Sequence, residues 1–209
     1  MYKRLFPLAL ATFAVGTDGF VIAGLLPSIA DDLQVSVPQA GQLVTAFALT
    51  LSIAAPVLGW ATSSMDRRKA LMIALVVFAI GNVATALGTT YATVMTARII
   101  TAAGAGIITS TSSSAAAVVS PPEQRGRALA FVLGGLTLSS AVGLPLGTLI
   151  GSSDWHVTLW AVAGLGVVAA LGVAFALPKI TLPSTTFRAR LEPLKERWVL
   201  GTLTVTMLS

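Results

Sequence analysis

The chain has 209 residues, of which 55% are hydrophobic and only 10% are charged, and it carries a formal net charge of +5. Soluble globular domains contain about 25% charged residues, so this composition, with a mean hydropathy of +0.87, excludes a soluble domain and predicts an integral membrane protein. The sequence contains no cysteine, which excludes disulfides, thiol catalysis and zinc–thiolate sites.

Six apolar runs are long enough to cross a bilayer as helices, which requires about 20 residues. Their continuous hydrophobicity excludes the strands of outer-membrane barrels, which alternate apolar and polar residues over about ten positions. The first run follows Lys3 and Arg4 and imitates a signal peptide, but it continues to Leu26, so we predict an uncleaved first helix. The six predicted spans lie at about 5–30, 40–63, 70–88, 92–119, 127–151 and 157–178.

Two further segments follow the sixth run. Residues 179–197 are polar, contain two prolines and alternate in charge, which is typical of a linker. A seventh apolar run begins near Trp198 and stops at Ser209. We therefore predict a six-helix bundle over residues 1–178, a cytoplasmic linker over 179–197, and the start of a truncated seventh span over 198–209.

All but one of the thirteen lysine and arginine residues flank the spans on one side. The connections at about 31–39, 89–91 and 152–156 contain none. Because basic loops are cytoplasmic in membrane proteins, the N-terminus is predicted to lie inside. The pI near 10.3 then has a topological cause and does not indicate a nucleic-acid partner. The flanking residues are Lys3, Arg4, Arg67, Arg68, Lys69, Arg125, Arg127, Lys179, Arg188, Arg190, Lys195 and Arg197.

Asp18 is an acidic residue near the centre of the first predicted span. Counted from Leu5, it lies about 20 Å along the helix, close to the middle of the hydrocarbon. Inserting such a residue costs about 2.5–3.5 kcal/mol, so intramembrane acids face a bundle interior or a wet cavity and pair with other groups. One interpretation is a structural aspartate that hydrogen-bonds between helices, and the other is a group that takes up and releases a proton.

Arg98, in the fourth span, is the one basic residue inside a predicted span. It lies about 10 Å from the outer end of its helix, at a depth similar to that of Asp18. An opposite charge offsets the cost of burying either group, so we expect the two to be partners, directly or through water. A carboxyl that is buried beside an arginine can change protonation near neutral pH. An arginine that caps backbone carbonyls is the structural alternative.

The fourth and fifth spans are rich in small residues. The fifth, GGLTLSSAVGLPLGTLIGSS, places Gly143, Gly147 and Gly151 every four residues, and this stripe allows another helix to approach closely. Pro145 removes a backbone donor and bends the helix. The fourth, AAGAGIITSTSSSAAAVV, either packs tightly against a neighbour or lines a polar pathway with its hydroxyl groups.

The connection between the second and third spans, GWATSSMDRRKAL, is similar to the loop signature G-x-L-A-D-R-x-G-R-R/K. Gly59, Arg67 and Arg68 match that signature. Ser63 stands where the signature has aspartate, and Asp66 stands where it has glycine. The signature belongs to the major facilitator superfamily, which this connection therefore resembles.

Other stretches resemble the same superfamily, and within it the twelve-span drug:proton antiporters of the chloramphenicol-resistance and arabinose-efflux type. GTDGFVIAGLLPSIADDLQVS is similar to the first span of that group, ARIITAAGAG to its fourth-span signature, and GLTLSSAVGLPLGT to its antiporter signature in the fifth span. Arg98 then matches an arginine linked to proton transfer. In DWHVTLWAVA, Asp154 and His156 replace the more usual Gly and Arg around Trp155.

The resemblance implies an all-α polytopic membrane protein with the six-helix N-terminal half of a major facilitator fold. It implies a proton-coupled efflux antiporter of the bacterial cytoplasmic membrane that exports a small molecule such as an antibiotic or a sugar. The proton gradient would drive it, without a cofactor or a metal. Asp18 would be the protonation site or part of it, Arg98 its electrostatic partner, and the glycine stripe a close contact near the boundary between two halves.

A complete member of that group binds substrate between two halves near the membrane midplane. The chain is expected to be a fragment, a truncated reading frame, or a half that associates with a C-terminal half. A transport-incompetent half is the alternative function. An enzyme is not predicted, because the only histidine, His156, lies in an outer loop and we identify neither a catalytic triad nor a G-x-x-x-x-G-K-S/T motif. The substrate stays open among antibiotics, sugars and nucleosides.

Overall fold

The computed structural model describes residues 2–180, and all the regular structure in that range is helical. Six helical segments are long and apolar enough to cross a membrane, judged by length and composition. They agree with the predicted spans to within a few residues, whereas the predicted seventh span and all but the first residues of the linker lie outside the described residues. The helices are α1 (Tyr2–Asp32), α2 (Val37–Ala61), α3 (Arg67–Ala86), α4 (Tyr91–Val119), α5 (Arg125–Leu138), α6 (Leu144–Ile150) and α7 (Trp155–Ala176).

Short polar residues begin the helices where the chain reverses direction. Ser36 accepts a hydrogen bond from the Gln39 amide at 3.3 Å before α2, and Thr90 forms a reciprocal pair with Thr93 before α4. Such caps satisfy amide groups that have no partner in the first helical turn. The polar residues between the apolar runs therefore fix the residues at which the helices begin, which hydropathy alone does not determine.

Small residues let the backbone of α4 come into close contact with the backbones of neighbouring helices. A Cβ atom added to Gly106 would lie 2.8 Å from the Ala55 amide nitrogen of α2. One added to Gly104 would lie 3.0 Å from the Ala74 carbonyl oxygen of α3. Membrane helices associate through this kind of close packing, because lipid tails are as apolar as the side chains that helices would bury. The glycines of α4 therefore hold α2 and α3 around it.

The hydroxyl groups of α4 bond mainly to their own helix. Thr101, Thr109 and Ser113 each donate to the carbonyl four residues earlier, at 2.8 to 3.0 Å. Thr101 and Thr111 are also buried. These hydroxyls are therefore satisfied inside the helix or packed in the interior, whereas Ser110, Thr111 and Ser114 line a small cavity of about 70 Å³ beside Arg67.

The fifth span consists of α5 and α6 with a π-helical turn, Ser139–Gly143, between them. Pro145 follows in the first turn of α6 and lacks the amide hydrogen that the Ala141 carbonyl would accept in an α-helix. Single π-helical turns inside membrane helices often mark functional sites. The distortion predicted at Pro145 therefore takes the form of a wider helical turn just before it.

Gly135 and Gly134 form a matched pair for testing how α5 packs on α1. A Cβ atom added to Gly135 would overlap the Ala9 carbonyl oxygen, whereas one added to Gly134 would have no atom within 4 Å. We expect Gly135→Ala to lower the free energy of unfolding by about 1–3 kcal/mol through overpacking. Gly134→Ala should leave it unchanged or raise it by about 0.5–1 kcal/mol, because alanine favours helices. Thermal unfolding of the two purified variants measures the difference, and equal midpoints would contradict the contact.

Candidate functional site

Asp18 and Arg98 form an ion pair in the interior of the bundle. Arg98 Nη1 lies 2.6 Å from Asp18 Oδ1, and both side chains are fully buried. Arg98 Nη2 also lies 3.5 Å from the Asp18 carbonyl oxygen. Asp18 sits near the middle of α1, and Arg98 sits about two turns into α4. The structure thus joins, by direct contact, the two charged residues that the sequence places deep inside spans.

Asp18 keeps one carboxylate oxygen available for a proton. Within residues 2–180, Asp18 Oδ2 and Arg98 Nε have no hydrogen-bond partner, although both atoms are buried. Buried polar atoms nearly always have partners, so such an atom in a native site needs a physical reason. A proton on Oδ2 would neutralise the carboxyl and leave the contact between Oδ1 and Arg98 in place. The geometry therefore accommodates both the ionised and the protonated carboxyl.

Phe47 of α2 covers the Arg98 guanidinium group. The Arg98 Cζ atom lies 4.2 Å from the centre of the Phe47 ring, and Phe47 is 5% exposed. Cations within about 6 Å of a ring centre are attracted to the face of the ring. Nothing in the stretch VTAFALTL separates Phe47 from an ordinary apolar residue, so the sequence does not predict this contact.

The glycine stripe of the fifth span packs against α1 beside Asp18. Cβ atoms added to its glycines would overlap α1 side chains one turn apart: Gly143 meets Thr17, Gly147 meets Val21, and Gly151 meets Leu25. Thr158 of α7 also donates to the Gly147 carbonyl at 2.7 Å, while Pro145 is exposed. Within the described residues, the stripe therefore packs against α1 and α7. Its place near the boundary between two halves stays a prediction.

The loop between α2 and α3 holds the chain that leaves α7. Asp66 Oδ1 accepts a hydrogen bond from the Lys69 amide at 3.0 Å and caps α3, and its Oδ2 accepts one from the Ile180 amide at 2.7 Å. The Arg67 amide donates to the Ile180 carbonyl at 2.8 Å. Asp66, which stands where the loop signature has glycine, therefore ties the end of the sixth span to the start of the third. The sequence does not predict this link.

The remaining residues of the loop signature lie at the same end of the bundle, apart from the Asp18–Arg98 pair. A Cβ atom added to Gly59 would lie 2.8 Å from Ser110 Oγ of α4, so the glycine allows α2 and α4 to meet closely. Arg67 is buried and Arg68 is half-buried. These residues therefore organise the basic end of the bundle and do not join the central ion pair.

At the opposite end, a polar cluster joins the end of α1 to the start of α7. Trp155 Nε1 donates to Asp32 Oδ2 at 3.2 Å, and the Trp155 ring stacks on His156 at 3.9 Å between ring centres. Hydrogen bonds from the His156 ring and amide hold the pKa of the Asp154 carboxyl below its usual value. Across the described part of the chain, no three His, Cys, Asp or Glu side chains are grouped so that they could hold a metal ion.

The family of the chain follows from its sequence as a whole. The model of the Major Facilitator Superfamily matches residues 8–208. The chain belongs to this superfamily. Together with the six membrane-length helices, the match makes the chain a multi-pass membrane protein of a transporter family.

Similar proteins are about twice as long as this chain. The uncharacterized MFS-type transporter YbcL of Bacillus subtilis (strain 168) is 39% identical over 176 residues, which are 84% of this chain and 45% of that protein. The chloramphenicol resistance protein of Streptomyces lividans is also 39% identical over 176 residues, covering 83% of this chain and 45% of its own length. The chain therefore spans about half the length of the curated relatives it matches.

A solved structure shows which part of the fold is present. The proton:xylose symporter XylE, bound to 6-bromo-6-deoxy-D-glucose, aligns with a TM-score of 0.74 at 19% identity, over 85% of this chain and 45% of that chain. At this identity the likeness concerns the fold alone. The six described spans form the N-terminal half of the major facilitator fold, as the resemblance of the sequence implies.

Proposed function

We propose that this chain is the N-terminal half of a proton-coupled efflux carrier, which exports a small molecule in exchange for protons. The observation that carries the proposal is the fully buried contact of 2.6 Å between Asp18 and Arg98. Ionisable residues inside membranes are expensive, and they mark ion pathways or substrate sites. In this pair, the Asp18 carboxyl can bind a proton. The permanent positive charge of Arg98 is attracted less strongly to Asp18 once that proton is bound.

In the proposed cycle, Asp18 releases its proton when the site opens to one side of the membrane and binds another when it opens to the other side. While Asp18 is ionised, its attraction to Arg98 holds α4 against α1. A proton on Asp18 weakens that attraction, so the rest of the contact between α1 and α4 can rearrange at a lower free-energy cost. Substrate binding that favours one protonation state then links substrate movement to proton movement. Such a carrier uses the proton gradient and needs no cofactor.

An apolar groove between α1 and α5 supports a substrate with an apolar part. Its volume is about 640 Å³, and its nine lining residues are all apolar or glycine, among them Phe6, Phe13 and Phe131. Small-molecule sites have volumes of about 300–1,000 Å³ and mostly apolar linings. The groove, together with a relative named as a chloramphenicol resistance protein, favours an antibiotic-like compound over a sugar.

We further propose that the basic end of the bundle faces the cytoplasm of a bacterium, because basic loops stay inside. The chain has no cysteine, so single cysteines can report the orientation. Ser153 and Ser64 are both exposed and lie at opposite ends of the bundle. We expect a membrane-impermeant thiol reagent to label Ser153→Cys in intact cells and to label Ser64→Cys only after permeabilisation. The reverse pattern would overturn the orientation.

Everted membrane vesicles with an acidified lumen test the proposed function. The protein is expressed from its complete reading frame, and candidate compounds come from a growth-inhibition panel on cells that express it. We expect a transported compound to release protons from the lumen, which a pH-sensitive dye reports, and vesicles without the protein to show no release. Accumulation of a compound with no change in lumen pH would count against proton coupling.

The same assay separates a complete carrier from an isolated half. Residues 1–209 alone are compared with the product of the complete reading frame. Proton movement by the longer product only would assign the transport-incompetent alternative to the isolated chain. Proton movement by residues 1–209 alone would show that these spans suffice, by themselves or as an assembly of copies.

A further inference from the structure

Phe47 packs against the Arg98 guanidinium and lies beside Gly19, the residue that follows Asp18. Its ring lies over the Arg98 guanidinium at 4.2 Å from the ring centre to Cζ. A Cβ atom added to Gly19, the residue after Asp18, would lie 3.5 Å from Phe47 Cε1, so the ring also rests against the α1 backbone there. Phe47 therefore fills the space between α1 and α4 on the α2 side of the pair.

Few polar contacts hold the Arg98 side chain in place. Among residues 2–180, its polar contacts are the Asp18 carboxylate and the longer contact of 3.5 Å with the Asp18 carbonyl, and its Nε has no hydrogen-bond partner. Apart from Asp18 and Arg98, the described spans carry charged side chains only near their ends. When Asp18 is protonated, its attraction to Arg98 weakens, and the Phe47 ring and the longer contact with the Asp18 carbonyl become the main attractions that remain.

We propose that Phe47 is a positioning residue that keeps Arg98 beside Asp18 while Asp18 carries a proton. This role rests on the proposed proton coupling. Phe47 would preserve the position of Arg98 beside Asp18 from the moment a proton binds until it is released. Without the ring, Arg98 can relax toward better-solvated surroundings when the carboxyl becomes neutral. That relaxation is open only to the protonated state, so it stabilises that state selectively. The ring's direct attraction to Arg98 is present in both states and largely cancels.

The expected result of Phe47→Leu is therefore a shift of Asp18 protonation to higher pH. We expect the selective stabilisation of the protonated state to move the midpoint by about one pH unit, a tenfold change in proton concentration. Infrared spectroscopy of the purified complete protein in lipid measures the carbonyl band of the protonated Asp18 carboxyl, which Asp18→Asn identifies by removing it. Phe47→Met gives the same test in a second non-aromatic side chain if Phe47→Leu does not fold.

Two variants separate positioning from simple packing. Phe47→Trp keeps an aromatic face and should therefore keep the wild-type titration midpoint. Phe175→Leu makes the same kind of substitution at an 88% exposed residue of α7, and it should also leave the midpoint unchanged. Unchanged midpoints in Phe47→Leu and Phe47→Met would overturn the proposal, as would an equal shift in Phe47→Trp. A shifted infrared titration without substrate-driven proton movement by the wild type would instead support Phe47 positioning and reject the proposed transport function.

Discussion

Asp18→Asn is expected to abolish substrate-driven proton movement in vesicles while the protein still inserts and folds. Asparagine has nearly the shape of aspartate and keeps an oxygen that can accept from Arg98, which lies 2.6 Å from the carboxylate in the wild type. It cannot bind and release a proton in the physiological range. The readout is proton release from acidified everted vesicles on addition of the substrate, with protein amount measured in the same membranes.

Two further variants make this result specific. Asp31→Asn, at an exposed aspartate near the end of α1, should retain the wild-type proton movement. Asp18→Glu preserves the titratable group at a displaced position and should retain part of the movement. Normal coupling in Asp18→Asn would reject the role of this residue, whatever the other variants show.

Arg98→Ala is expected to lower the free energy of unfolding by about 3–5 kcal/mol, the cost of leaving a buried charge without its partner. Asp18 is fully buried, so its carboxylate would lose its one charged contact within the described spans. The double variant Asp18→Asn/Arg98→Gln removes both charges and should recover much of that loss. Denaturant unfolding of the purified wild type and of the two variants measures both changes.

The matched control for Arg98→Ala is Arg127→Ala, at an exposed arginine near the start of α5. Surface charges contribute little to stability, so its effect should stay below about 1 kcal/mol. If Arg98→Ala proved no more destabilising than Arg127→Ala, the ion pair would not be a structural element of the bundle. Equal losses in Arg98→Ala and the double variant would show that an unpaired Asp18 carboxylate is not the source of the destabilisation.

The spans and the central pair follow from simple features of the sequence. A continuous apolar run of about 20 residues in a bilayer almost always forms a helix, because its backbone groups must bond within the segment. The six spans can therefore be predicted without any tertiary information. Asp18 and Arg98 are the two charged residues deep inside those spans, and the cost of burying either one alone favours their contact. Proximity along the chain plays no part, because 80 positions separate them.

Other contacts depend on the way the helices rotate about their axes, which hydropathy does not set when a span is apolar on every side. Phe47 could face lipid or the core by its pattern, and only the packed bundle places it over Arg98. The partner of the Gly143 stripe is α1 for the same reason. The link from Asp66 to Ile180 joins segments 114 positions apart, and the loop signature, which has glycine there, gives no indication of it.

If Asp18 changes its protonation during the proposed transport cycle, substrate binding should release protons from the protein. The purified complete protein is placed in weakly buffered solution, and a saturating amount of the transported compound is added. The wild type should release protons, and an Asp18→Asn variant that still binds the compound should release none. Equal release from the two proteins would show that Asp18 is not the group that loses the proton.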